Sequence, residues 1–117
     1  MTFTELQEQQ KVWSEHNFGR GGGRLRLVQC MLGVVEECGE LAHGMLKSMQ
    51  GIRGTQKKHE ASMKDAVGDV IIYLADLCNR AGWDMQKIIE STWAEVSERD
   101  WKKYPETGAP PKFIKLP

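Results

Sequence analysis

An all-α fold, a bundle of about four helices, is predicted by three observations. All four prolines (Pro105, Pro110, Pro111 and Pro117) fall in the last thirteen residues, so positions 1–104 hold no obligate helix breaker. Glycine does the punctuating instead, at Gly19–Gly23, at Gly51–Gly54 and at Gly82. Between these breaks the apolar residues recur at steps of three and four, and no stretch alternates as a strand would. The 117 residues, 40% hydrophobic, fit one domain over 1–117 with an irregular tail from about 105.

The breaks place helices near 3–18, 25–49, 60–81 and 84–103. The first carries sparse apolar positions, Phe3, Leu6, Val12 and Trp13. The second has a continuous stripe of Val28, Met31, Val35, Cys38, Ala42, Met45 and Met49, which reads as its core-facing side. In the third, Met63, Val67, Val70, Leu74, Leu77, Cys78 and Ala81 repeat that pattern. The fourth offers Met85, Ile88, Ile89, Trp93 and Val96. Two strongly amphipathic central helices with thinner partners suggest a bundle whose apolar surface is completed by a second copy.

Composition excludes several classes. Sixteen Lys and Arg balance sixteen Asp and Glu, which argues against a protein that coats nucleic acid or anionic membrane. The longest apolar run, Val70 to Ala75, is far too short for a membrane span, and no secretory signal pattern opens the chain. Cys30, Cys38 and Cys78 form no CxxC pair, so reduced thiols and a cytoplasmic location are expected, with Cys30 and Cys38 on or beside the core stripe. The histidines lack zinc-ligand spacing. The Gly19–Gly23 run lacks the GK[ST] of a phosphate loop and reads as a connector.

Opposite the stripe of the second helix, Glu36, Glu37 and Glu40 share one line with Gly33, Gly44 and Lys47. On the third helix Asp65, Asp69 and Asp76 share another. Glu36–Glu40 and Asp65–Asp69 are like-charge i,i+4 pairs, whereas a solvated face normally mixes signs. Two carboxylates ~5 Å apart repel by roughly 3 kcal/mol at an effective dielectric of 20, a penalty that a divalent cation removes. The two glycines cost about 1 kcal/mol each against Ala, and they let a ligand or another helix approach the backbone. Carboxylate donors without His or Cys favour Mg²⁺, with Mn²⁺ as a substitute.

Glu36-Glu37-Cys38-Gly39-Glu40 resembles the EExxE motif of the MazG-like all-α nucleoside triphosphate pyrophosphohydrolases, and Asp65-Ala66-Val67-Gly68-Asp69 resembles their ExxD motif. The resemblance spans about residues 3–104, with one departure: Ala66 stands where the motif has Glu. It implies Mg²⁺-dependent hydrolysis of a (d)NTP to the monophosphate and pyrophosphate, in nucleotide-pool house-cleaning, by a homodimer or homotetramer. Glu37, Glu40 and Asp69 are then the expected metal ligands, with Asp65 replacing the missing Glu. Glu36 is either another ligand or the residue that orients the attacking water, and a glutamate, Glu36 or Glu37, accepts its proton. Lys47, which matches a family lysine, is expected to bind phosphate; Lys102 and Asn79 are candidate substrate contacts. Alternatives are a non-catalytic helical adaptor of the same fold, which Ala66 makes conceivable, and a small nucleic-acid-binding protein using Arg20, Arg24 and Arg26.

Overall fold

The structure, a computed structural model, describes residues 1–112. It contains four helices: α1 (Phe3–Phe18), α2 (Arg24–Gln50), α3 (Gln56–Ala81) and α4 (Met85–Val96). No strand occurs among the described residues. The chain divides into two compact units, Met1–Met85 and Gln86–Pro117.

In the first unit the helix ends follow from local chemistry. Thr2 and Thr55 cap α1 and α3, their hydroxyls accepting from the N–H groups of Glu5 and Lys58 at 3.1 and 3.2 Å. The Thr55 cap starts α3 a turn earlier than the periodicity suggests. Gly51 and Gly82 end α2 and α3 in the left-handed conformation, with Ile52 and Trp83 N–H groups closing back on the carbonyls of Lys47 and Cys78.

Which faces meet is the main departure from the periodicity. The stripe expected to be the core side of α2 is open to solvent: Val35 is 59% exposed, Met45 53% and Met49 82%. Cys38 is exposed as well, whereas Cys30 is buried. It is the glycine line that meets α3. A Cβ on Gly33 would lie 2.5 Å from Cζ of Tyr73, and one on Gly44 would lie 2.8 Å from Cγ of Met63. Cys30 Sγ donates to Asp76 Oδ2 at 3.3 Å, and the Gln56 side chain donates to the Ser48 carbonyl at 2.8 Å. These contacts define an antiparallel register in which Glu37 lies level with Asp69, and Glu40 level with Ala66. Ala66 is 2% exposed, buried in this seam.

The glycine contacts make a paired prediction. Gly33→Ala must displace the Tyr73 ring, an overpacking cost of about 1–3 kcal/mol that outweighs the ~1 kcal/mol gained in helix propensity. Gly68→Ala, on an exposed helical position with nothing within 4 Å of the new Cβ, gains the propensity alone. Urea denaturation is expected to show opposite signs for the two variants; the same sign would mean that the helices do not approach at Gly33.

α1 packs antiparallel on α3 through polar groups. Ser14 Oγ donates to Asp76 Oδ1 at 3.0 Å, and Asn79 Nδ2 donates to the Gln7 carbonyl and to Gln10 Oε1 at 2.9 and 2.8 Å. Arg80 joins the same node, donating to Asp76, to Ser14 and to the carbonyls of Gly19 and Gly21. The glycine run is thus a connector, as its composition predicts, and Arg80 holds it down.

In the second unit α4 stops at Val96 rather than near 103. Beyond it Asp100 Oδ1 accepts from the N–H groups of Lys102 and Lys103 at 3.1 and 3.0 Å, and so draws those N–H groups away from a continuing helix. Gly108, buried at φ 76°, closes the turn by exchanging backbone hydrogen bonds with Asp100 and Tyr104.

Candidate metal centre

The α2–α3 seam brings five of the expected site residues together. Glu37 and Asp69 are half-buried between the Tyr73–Gly33 and Met63–Gly44 contacts, while Glu36, Glu40 and Asp65 lie exposed around them. Partial burial pushes the Glu37 carboxyl above its usual range, and the negative charges of Asp69, Glu36, Glu40 and Asp65 push it further in the same direction. Carboxylates from both helices therefore act on one point. Tyr73 feels the same field: burial first, then Glu36, Glu37, Asp69 and Asp76, raise its phenol.

The cluster is not a closed cage. Among the described residues no group of three or more His, Cys, Asp or Glu side chains stands ready to hold a metal ion. Magnesium rarely uses such cages; it keeps several waters and takes one or two carboxylates together with substrate phosphates. The hard oxygen donors, and the repulsion concentrated on Glu37, fit that mode.

Ala66 cannot supply a ligand, and its Cβ is spent on helix packing. Asp65, one residue earlier, is exposed and lies close enough to add to the charge on Glu37, the smallest of the four acidic contributions. Lys47, half-buried on α2, donates from Nζ to Gln50 Oε1 at 2.9 Å. It stands two turns beyond Glu40, about 10 Å along the helix.

Other expected site residues lie elsewhere. Asn79 is ten positions past Asp69, about 15 Å along α3, with its amide nitrogen engaged by α1. Lys102 is exposed in the Asp100 turn of the second unit, not in a last helical turn. Asp76 shares its line with Asp69 but belongs to the α1 node. Burial raises its carboxyl, yet hydrogen bonds from Cys30, Ser14, Gln10 and Arg80 outweigh that and hold it below the usual range. Arg20, its side chain 88% exposed, pairs with Glu15 at 3.7 Å, and Arg26 turns back to the Phe18 and Gly19 carbonyls.

Tyr73 and His59 were not singled out by spacing. His59 is 7% exposed, and its Nε2 lies 2.9 Å from the Ile52 carbonyl, which ties the α2–α3 turn to α3. The signal for Tyr73 was available: a bulky residue must fill the gap opposite a helix-interior glycine.

No known protein family, curated protein or solved structure matches this chain. Among the described residues no helix is long and apolar enough to cross a membrane.

Proposed function

We propose that the protein is a Mg²⁺-dependent nucleoside triphosphate pyrophosphohydrolase that cleaves a (d)NTP to the monophosphate and pyrophosphate. One observation carries the reading: carboxylates from two helices converge on Glu37, held there by glycine contacts that cost helix propensity. The motif resemblance to MazG-like enzymes supplies the reaction class. In that reaction water attacks the α-phosphorus and the bond to the bridging oxygen of pyrophosphate breaks.

Bound Mg²⁺ would supply charge neutralisation for the phosphates and a more acidic water. Glu40, Asp69 and Asp65, with Glu37, are the residues that would hold it. Glu37 has the raised carboxyl of a group suited to take the proton from the attacking water, and Glu36 beside it orients that water. Lys47 rotates from Gln50 onto a phosphate oxygen. Asn79, with its amide committed to α1, contributes by holding α3 in place.

Melting curves test the metal site. Mg²⁺ that binds only the folded chain raises the melting temperature with its concentration, by about 2.7 kcal/mol of stability at a hundredfold excess over Kd. The Glu37→Gln/Glu40→Gln variant is expected to show a nearly flat titration. Equal shifts in both proteins would mean general screening and remove the site. The rival reading, a non-catalytic helical adaptor, is favoured by Ala66, which stands where the motif has Glu and is buried in the seam. It predicts no Mg²⁺-dependent release of pyrophosphate across a panel of canonical and modified triphosphates.

A further inference from the structure

Charge is sorted along the α2–α3 pair. Residues 41–64 hold Lys47, Arg53, Lys57, Lys58 and Lys64 against a single carboxylate, Glu60, in a chain of net charge zero. Glu60 is taken by Lys64 at 2.9 Å. The acidic cluster of the seam follows directly, so the helix pair has a basic end beside an acidic middle.

Two of these cations stand on the same strip as the carboxylates. Lys47 follows Glu40 by seven residues and Glu36 by eleven, while Lys58 precedes Asp65 by seven and Asp69 by eleven. Seven and eleven residues are close to two and three whole turns, so each lysine lies on the carboxylate line of its own helix. The antiparallel register then sets the two lysines level. They are bracketed by the approach of Gly44 to the His59 carbonyl, 3.5 Å from the Cβ position, and by the 2.8 Å hydrogen bond from Gln56 to the Ser48 carbonyl. Along one side of the seam the rungs are therefore Glu36 with Asp69, Glu40 with Asp65, His43 with Ser62, and Lys47 with Lys58. Lys57 and Lys64 lie about 100° or more round α3 from this line.

The order of the rungs selects a ligand. Level ammonium groups repel each other as the carboxylates do, and an anion relieves the one end as a cation relieves the other. About 10 Å of helix axis separates the lysine rung from Glu40 and Asp65, a gap that the four-carbon lysine stems shorten. A lone phosphate is too short to serve both rungs. A polyphosphate chain places its near phosphate at the carboxylate end and its far phosphates beside the lysines.

We propose, on the pyrophosphohydrolase reading of the seam, that Lys58 joins Lys47 in binding the β- and γ-phosphates and stabilises the departing pyrophosphate. When the bond from the α-phosphorus to the bridging oxygen breaks, its electron pair stays on that oxygen. The two ammonium groups face the charge that develops there, while the proton of the attacking water passes to the glutamate. The monophosphate product has no phosphate that reaches the lysine rung, so it is held more weakly than the substrate.

Calorimetric titration with inorganic tripolyphosphate in the presence of Mg²⁺ reads the lysines without turnover. Lys58→Gln is expected to raise Kd at least about tenfold, the scale of losing one charge-assisted hydrogen bond. Lys58→Arg, which keeps the charge, should lose less, and Lys57→Gln, one residue away but off the line, should bind as the native chain does. The rise in melting temperature with Mg²⁺ alone should survive Lys58→Gln, because no metal ligand changes. An unchanged Kd in Lys58→Gln, or an equal loss in Lys57→Gln, would overturn the proposal. The two readings fail separately. A native chain that binds tripolyphosphate through Lys58 yet releases no pyrophosphate from any (d)NTP ends the pyrophosphohydrolase reading and leaves the lysine site standing. Pyrophosphate release with an unchanged KM in Lys58→Gln removes the role of Lys58 alone.

Discussion

Arg80→Ala is expected to produce the largest loss of stability of any single change outside the α2–α3 seam, about 3 kcal/mol. The Arg80 side chain is 7% exposed and that of Asp76 16% exposed, so removing the guanidinium strands a carboxylate with little access to water. The carbonyls of Gly19 and Gly21 lose their donor in the same step. Because the Asp76 carboxyl is held below its usual range, its contribution is fully present above the unfolded-state value near 3.8. It is lost as pH falls through the lower folded-state value. Acid denaturation of Asp76→Asn should therefore lack that part of the pH dependence. A loss below ~1 kcal/mol for Arg80→Ala in urea would show that the node contributes no more than a surface pair.

The largest effect on activity is expected at the acidic cluster. Glu37→Gln, Glu40→Gln and Asp69→Asn should each lower kcat by at least about 100-fold, the scale of losing an acid–base group or a metal contact. Their stability should hold or rise, since each removes one of several carboxylates that repel across the seam. Opposition of that kind marks a site kept for a ligand rather than for the fold. Asp65→Asn should lose activity through a higher Mg²⁺ requirement, while Glu8→Gln, exposed on α1, should behave as the native chain. If Asp65→Asn matches Glu8→Gln, Asp65 does not replace the Glu absent at Ala66. Asp76→Asn is unsuitable as a control because Asp76 anchors α1.

Helix number and the main breaks were legible because glycine and proline act locally. Phe3–Phe18 matches the segment before the first glycine break, and Gly51 and Gly82 end their helices as left-handed caps. The end of α4 was hidden: 97–103 contain no breaker, and what stops the helix is the Asp100 carboxylate and its closure with Gly108. The faces of α2 were told apart correctly, but the side turned to α3 was not. Hydrophobic periodicity assigns the apolar side to the core by default. Here Gly33 and Gly44 admit Tyr73 and Met63, and that close approach brings the acidic line into the seam. The same contacts place Glu37 level with Asp69, which motif order alone does not specify. The sequence puts Asp76 on the acidic line and makes Asn79 a candidate substrate contact because a helical wheel does not show α1 on the other side of α3.

The activity proposed for this acidic seam is hydrolysis of a nucleoside triphosphate at its α-phosphorus. Phosphorus NMR of the native chain with Mg²⁺ and a mixture of canonical deoxynucleoside triphosphates tests it most directly. The expected spectrum shows nucleoside monophosphate and pyrophosphate growing together, with both signals absent for Asp69→Asn. Release of orthophosphate with a diphosphate, or equal turnover by Asp69→Asn, would contradict it.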